Sequence, residues 1–167
     1  PDALPILTGQ LADAMHAADD LEQTTIYFSH YLFEVARVTG RIGLMFDRLP
    51  DWDELYHQGL CTTVESPGEP RSDCHAWGAH PLFHYFATIL GIRPASYGFE
   101  SVRVAPQLGP LAHATGDLVH PAGMIHVHVE RQGERLAGEV RLPEGLGGEL
   151  VLGDDVQTLQ KGTTHTF

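Results

Sequence analysis

Near Gly91 the hydrophobic rhythm of this chain changes, and the change limits what the chain can fold into. Upstream, apolar residues recur at helical spacing, as in Leu7, Leu11, Ala14 and Met15, and again in Phe83, Ala87 and Leu90. Downstream they alternate. Val102 and Val104 are the first such pair, and Ile125, Val127 and Val129 then oppose His126, His128 and Glu130. A pattern with a period near 3.6 buries one face of a helix, whereas a period of 2 buries one face of a strand, and neither serves for the other. The chain therefore divides into a helical first half and a β-rich second half. Their boundary lies near residues 92 to 100, in the Gly- and Pro-rich "GIRPASYGFE", with no long linker.

The helical half reads as about five helices joined by short connections. After Asp19 and Asp20, "TIYFSHYLFEVARVTG" predicts a helix starting at Thr24 or Thr25 and ending at Gly40. Apart from a stripe of His30, Glu34 and Arg37 it is apolar on most of its circumference, so it must be covered on more than one side. "RIGLMFDRL" is a shorter helix ended by Pro50. "DWDELYHQG" carries Asp51 and Glu54 in the spacing of a capping box. In "HPLFHYFATILG", Pro81 kinks the helix or marks its first turn, and Gly91 stops it. The β half continues through "LAGEVRLP", "GELVLG" and "DVQTLQ", separated by Gly-containing turns, which predicts a small antiparallel β-sandwich. The helices of such a chain cannot all cover one another when only the sandwich remains. The helical half reads as part of something larger, and the uncovered faces predict association with a missing N-terminal part of the same protein or a homo-oligomer.

Composition removes several function classes. With 22 acidic residues against 10 Lys plus Arg, the formal charge is -12, so nucleic acid and anionic membrane surfaces are repelled. No apolar run has the length of a membrane span, and the first residues lack the basic stretch and apolar core of a secretion signal, which tilts the expected compartment towards the cytoplasm. Cys61 and Cys74 are too far apart for a CxxC motif and read as free thiols.

The densest chemistry lies in "CTTVESPGEPRSDCHAWGAHP", residues 61 to 81, where acids, imidazoles and an indole crowd a polar junction leading into an apolar helix. Together with "GIRPASYGFESVRVAPQLG", this stretch resembles the C-terminal portion of bacterial α-L-rhamnosidases, glycoside hydrolase family 78. In that family a Thr-Thr and glutamate segment leads to a His-bearing helix and then to a C-terminal β-sandwich. The resemblance implies that residues 1–94 are the last helices of an (α/α)6 barrel and that residues 95–167 are the sandwich. It further implies hydrolysis of terminal α-L-rhamnosides with inversion and without a cofactor. Such enzymes use one protonated carboxyl to donate to the leaving oxygen and one carboxylate, about 6.5 to 9.5 Å away, to activate water. By the resemblance Glu65 is that water-activating base, with Glu69 as the alternative because Val64 stands where the family often has an aromatic residue. His75 matches the histidine that contacts rhamnose, and Trp77 offers an aromatic face suited to a deoxy sugar. The family's catalytic acid would lie upstream of Pro1, so the chain alone is expected to be inactive.

Simpler structural roles stand beside these. Ser72 or Asp73 reads as an N-cap for the following helix. His126 and His128 share one strand face, but a metal site needs a third ligand that the sequence does not fix, so they read as a solvated sheet face. His80 and His84 lie at i, i+4 without an HExxH arrangement, and the glycines from Gly145 to Gly148 read as a hairpin turn rather than a phosphate loop. Two other functions fit the same pattern. One is a different α/α-toroid enzyme such as a polysaccharide lyase, against which the acidic charge counts. The other is a non-catalytic carbohydrate-binding or assembly module.

Overall fold

A computed structural model describes Gln10, Asp13, Ala14, residues 23–66 and residues 71–167. The first amphipathic pattern, built on Leu7, Leu11 and Met15, and the acidic break at Asp19 and Asp20 lie outside the described residues. The chain divides into two compact units, Pro1–Leu82 and Phe83–Phe167.

In the first unit, α1 spans Ser29–Thr39. Its entry is wound from Thr25, whose carbonyl accepts the Ser29 amide at 3.0 Å and whose hydroxyl accepts the Phe28 amide at 3.4 Å. Gly40 ends the helix in the left-handed region at φ 69°, a conformation that a Cβ disfavours. Phe33 and Ala36 are fully buried, while Phe28, Tyr31 and Val38 on the remaining circumference are exposed. Glu34 and Arg37 of the polar stripe pair at 2.8 Å.

Two short helices follow, α2 at Gly43–Phe46 and α3 at Pro50–His57. The capping box expected at Asp51 is not formed. Pro50 occupies the first turn of α3, where its fixed φ and missing N–H cost nothing, so the helix starts earlier and Leu49 is its N-cap residue without a side-chain cap. Asp51 instead pairs with Arg48 at 2.9 Å, and Glu54 accepts from Gln58 at 3.0 Å. Ile26, Leu55 and Val64 form a buried cluster with Trp52 and Leu60 against it.

From Ala76 the chain winds through three hydrogen-bond regimes in turn. Ala76–Ala79 is a 3-10 turn, α4 spans His80–His84, and Tyr85–Ile89 is a π-helical turn closed by the Leu90 amide on the Tyr85 carbonyl at 3.0 Å. Pro81 thus sits in a first turn. Ser72 and Asp73 are not N-caps, since His75 precedes the 3-10 turn and makes no side-chain cap. The Ser72 hydroxyl accepts the Cys74 amide at 3.3 Å in a local turn of its own.

The second unit holds two four-stranded sheets. One is ordered β1 (Ile92–Pro94), β2 (Ser101–Val104), β6 (Gly147–Leu152), β7 (Asp155–Leu159). The other is ordered β3 (His113–His120), β4 (Gly123–Gln132), β5 (Arg135–Arg141), β8 (Thr164–Thr166). Alternation places Ile125, Val127 and Val129 of β4 at 0% exposure, with Val140 of β5 and Val102, Val104 and Leu150 of the other sheet also fully buried. Each sheet therefore contributes one apolar face to a β-sandwich core, as the alternating sequence requires. The expected all-antiparallel arrangement needs one correction, because β2 and β6 pair in parallel from Ser101↔Gly147 to Val104↔Leu150.

That parallel pair also corrects the reading of Gly147 and Gly148 as turn residues. A Cβ on Gly148 would collide with the Val102 carbonyl oxygen, so glycine is present to let two backbones approach within a strand. Gly91 serves a similar need, at φ 72° and with the Ala105 backbone where a Cβ would stand. The two cysteines are free and exposed. No helix among the described residues is long and apolar enough to cross a membrane.

Gly148→Ala is expected to destabilise the chain by about 1–3 kcal/mol, because its obstacle is backbone that cannot rotate away. Gly133→Ala has open space around it and only the strain of φ 62° to bear, so it should cost about 1 kcal/mol. Urea unfolding followed by circular dichroism measures both, and equal losses would contradict the close-approach reading.

Candidate functional site

The residues singled out in the junction are organised by backbone pairing between two non-helical segments. The His75 amide donates to the Thr63 carbonyl at 2.7 Å, and the Thr63 hydroxyl returns a bond to the His75 carbonyl at 2.7 Å. The Thr62 hydroxyl donates to the Asp73 carbonyl, and the Glu65 amide to the Ser72 carbonyl at 3.1 Å. Both threonines use their hydroxyls to tie this register, which accounts structurally for Thr-Thr at this point. Gly78 fits closely behind it. A Cβ there would meet Thr63 Cβ and the Val64 carbonyl at 2.9 Å each, and the Gly78 carbonyl accepts the Trp52 indole N–H at 2.6 Å.

On this frame the Glu65 side chain is 24% exposed and its two carboxylate oxygens meet two nitrogens of Arg71, with Arg71 Nε to Glu65 Oε2 at 2.9 Å. The hydrogen bond from Arg71 holds the Glu65 carboxyl below the usual carboxylate range. Partial desolvation opposes this, and the charges of Arg71 and His75 add to it. Glu65 is therefore an ionised carboxylate within electrostatic reach of His75. Glu69, the alternative base, lies outside the described residues.

Trp77 lies 6.0 Å from His75, edge to face, and 4.5 Å from the Tyr27 ring. Its indole is 61% exposed and helps to line a groove of about 470 Å³ with Tyr27, His30, Tyr31 and His80. His75 and Trp77 are thus in ring contact, and Glu65 lies on the paired segment beside them without lining that groove. A second hollow of about 370 Å³ has an apolar floor of Ile26, Leu55, Leu60 and Val64 and a polar rim that includes Glu54, Ser66 and Asp73. Sequence reasoning did not single out Arg71, Tyr27 or Tyr31. The signal for Arg71 was its charge, six residues beyond Glu65 in sequence.

Four other histidines singled out in the sequence have structural partners. His80 Nε2 donates to the Ile26 carbonyl at 2.9 Å, and His84 Nδ1 lies 3.0 Å from the Thr88 hydroxyl. His126 Nδ1 is 2.8 Å from Asp117 Oδ1 across the β3–β4 pair, and His128 Nδ1 is 2.7 Å from the Thr115 hydroxyl.

His80 gives a pH prediction. Burial holds its imidazole below the ordinary histidine range, with the Ile26 carbonyl bond opposing and His30 adding to the shift. The folded state then binds the proton more weakly than the unfolded chain. The stabilisation is complete above the unfolded value of about 6.5 and is lost as pH falls through the folded value. Urea stability should decline on acidification below about pH 6.5, and His80→Gln should flatten that decline. An identical pH profile in the variant would refute this account of His80.

Comparison with known proteins agrees with this architecture. Residues 91–167 match the family described as "Bacterial alpha-L-rhamnosidase C-terminal domain". The chain is 25% identical over 159 residues to an alpha-L-rhamnosidase of Alteromonas sp. (strain LOR), covering 85% of this chain and 17% of that protein. In fold it is similar to the α-L-rhamnosidase of Streptomyces avermitilis solved with L-rhamnose, with a TM-score of 0.75, 20% identity, 99% of this chain and 20% of that one. It is also similar to the Dictyoglumus thermophilum α-L-rhamnosidase, with a TM-score of 0.74, 17% identity, 96% of this chain and 22% of that one. The GH78 rhamnosidase of Bacillus sp. GL1 gives a TM-score of 0.71 at 22% identity over 92% of this chain and 17% of that one. The chain spans about one fifth of the length of these relatives. Residues 91–167 are thus similar to the bacterial α-L-rhamnosidase C-terminal domain, and over nearly its whole length the chain is similar in fold to the C-terminal part of α-L-rhamnosidases.

Proposed function

We propose that this chain supplies the water-activating half of the active site of an α-L-rhamnosidase-like inverting glycoside hydrolase. In this reading residues 1–94 are the last helices of an (α/α)6 barrel and residues 95–167 are the sandwich that follows. Glu65 takes a proton from the attacking water, His75 contacts the rhamnosyl unit, and Trp77 covers the apolar face of the deoxy sugar. The general acid comes from residues outside this chain, so the chain by itself does not turn over substrate.

The observation that carries the reading is the state of Glu65. A general base must be anchored and reachable, and Glu65 is tied by its own amide to the Ser72 carbonyl with its side chain 24% exposed. The exposed indole of Trp77 above the groove with Tyr27 and Tyr31 supports a sugar platform. Phe28, Val38 and Tyr56, all exposed on the helical unit, support its packing against further helices of the same protein or a second copy.

Two measurements test it. In the full-length protein carrying this segment, Glu65→Gln should lower kcat on an aryl α-L-rhamnoside by roughly 10²- to 10⁴-fold, the usual contribution of a general base. Retention of full activity would refute the assignment. Titration of this chain with L-rhamnose should show binding that weakens in His75→Ala. Binding lost only on substitution in the sandwich would favour a carbohydrate-binding module instead.

A further inference from the structure

The Glu65–Arg71 pair is built unequally. Glu65 is fixed at its backbone by the bond to the Ser72 carbonyl and its side chain is 24% exposed, whereas the Arg71 side chain is 86% exposed. The guanidinium nonetheless meets both carboxylate oxygens, Nε on Oε2 and a terminal nitrogen on Oε1. A fork of this kind sets the plane and rotation of a carboxylate as well as its charge, which a point charge does not. It uses one lone pair on each oxygen and leaves another on each, and a base needs one such lone pair for the proton.

We propose that Arg71 is a positioning residue for Glu65: its guanidinium fork fixes the plane and rotation of the carboxylate, so that a lone pair the fork leaves unused takes the proton of the attacking water. The inference rests on the reading of Glu65 as the base. In the step it serves, the water oxygen bonds to the anomeric carbon and its proton passes to a Glu65 carboxylate oxygen. The glycosidic C–O bond breaks with its electron pair going to the leaving oxygen, which is protonated by the general acid. Among the described residues, the charged or titratable groups acting on the Glu65 carboxyl are Arg71 and His75. Removing Arg71 therefore leaves His75 as the remaining influence of that kind.

Two readouts test this. In the chain as it stands, carbon-detected NMR of the Glu65 carboxyl should show its titration midpoint move upward in Arg71→Met, with Arg71→Lys in between because an ammonium restores charge but not the fork. In the full-length protein, the acidic limb of the kcat/KM profile should move to higher pH in Arg71→Met, in step with the midpoint. A fall in kcat with neither midpoint nor limb displaced would overturn the positioning role and leave Arg71 a structural residue. A displaced midpoint in a protein whose Glu65→Gln variant keeps full turnover would instead overturn the reading of Glu65 as the base, and the catalytic role of Arg71 with it.

Discussion

The junction depends on one backbone bond, from the His75 amide to the Thr63 carbonyl at 2.7 Å. It brings the segment after the Thr-Thr pair alongside the segment that enters the helical run, and the Thr63 hydroxyl closes it from the other side. Neither segment is a helix or a sheet strand, so this pairing is what satisfies their polar backbone groups and fixes their direction. Once it is made, Glu65 and His75 lie within electrostatic reach and Gly78 has no room for a side chain. The Trp52 indole, bonded to the Gly78 carbonyl, ties the same frame to α3.

The sandwich was legible where burial follows a strict alternation. β4 announces itself because Ile125, Val127 and Val129 all reach the core while His126 and His128 do not. β3 was missed although it pairs with β4 along its whole length, from His113↔Glu130 to His120↔Gly123. Its residues alternate between exposed and partly covered, none is fully buried, and its Gly and Asp weaken any strand pattern. Gly147 and Gly148 were read as a turn because local chemistry favours turns there. Only the non-local approach of β2 shows why glycine stands within a strand.

In the helical unit the same contest between local signals decided the details. Gly40 ended α1 as its position suggested, because the left-handed cap is a backbone requirement that sequence states directly. The Asp51 and Glu54 spacing suggested a cap, but Pro50 ahead of it starts the helix earlier and leaves the two acids to side-chain partners. Glu65, His75 and Trp77 were singled out through their resemblance to a family. The pairing that joins them, and the role of Arg71 against Glu65, depends on hydrogen bonds between segments that no periodicity reports.

Hydrogen exchange on the chain tests this frame most directly. Because the His75 amide is bonded to Thr63 and the Glu65 amide to Ser72, both should exchange far more slowly than neighbouring unbonded amides, and His75 protection should fall in Thr63→Ala. Exchange of both amides at the rate of an unstructured peptide, in a chain whose helices and sandwich remain protected, would contradict the frame on which the account rests.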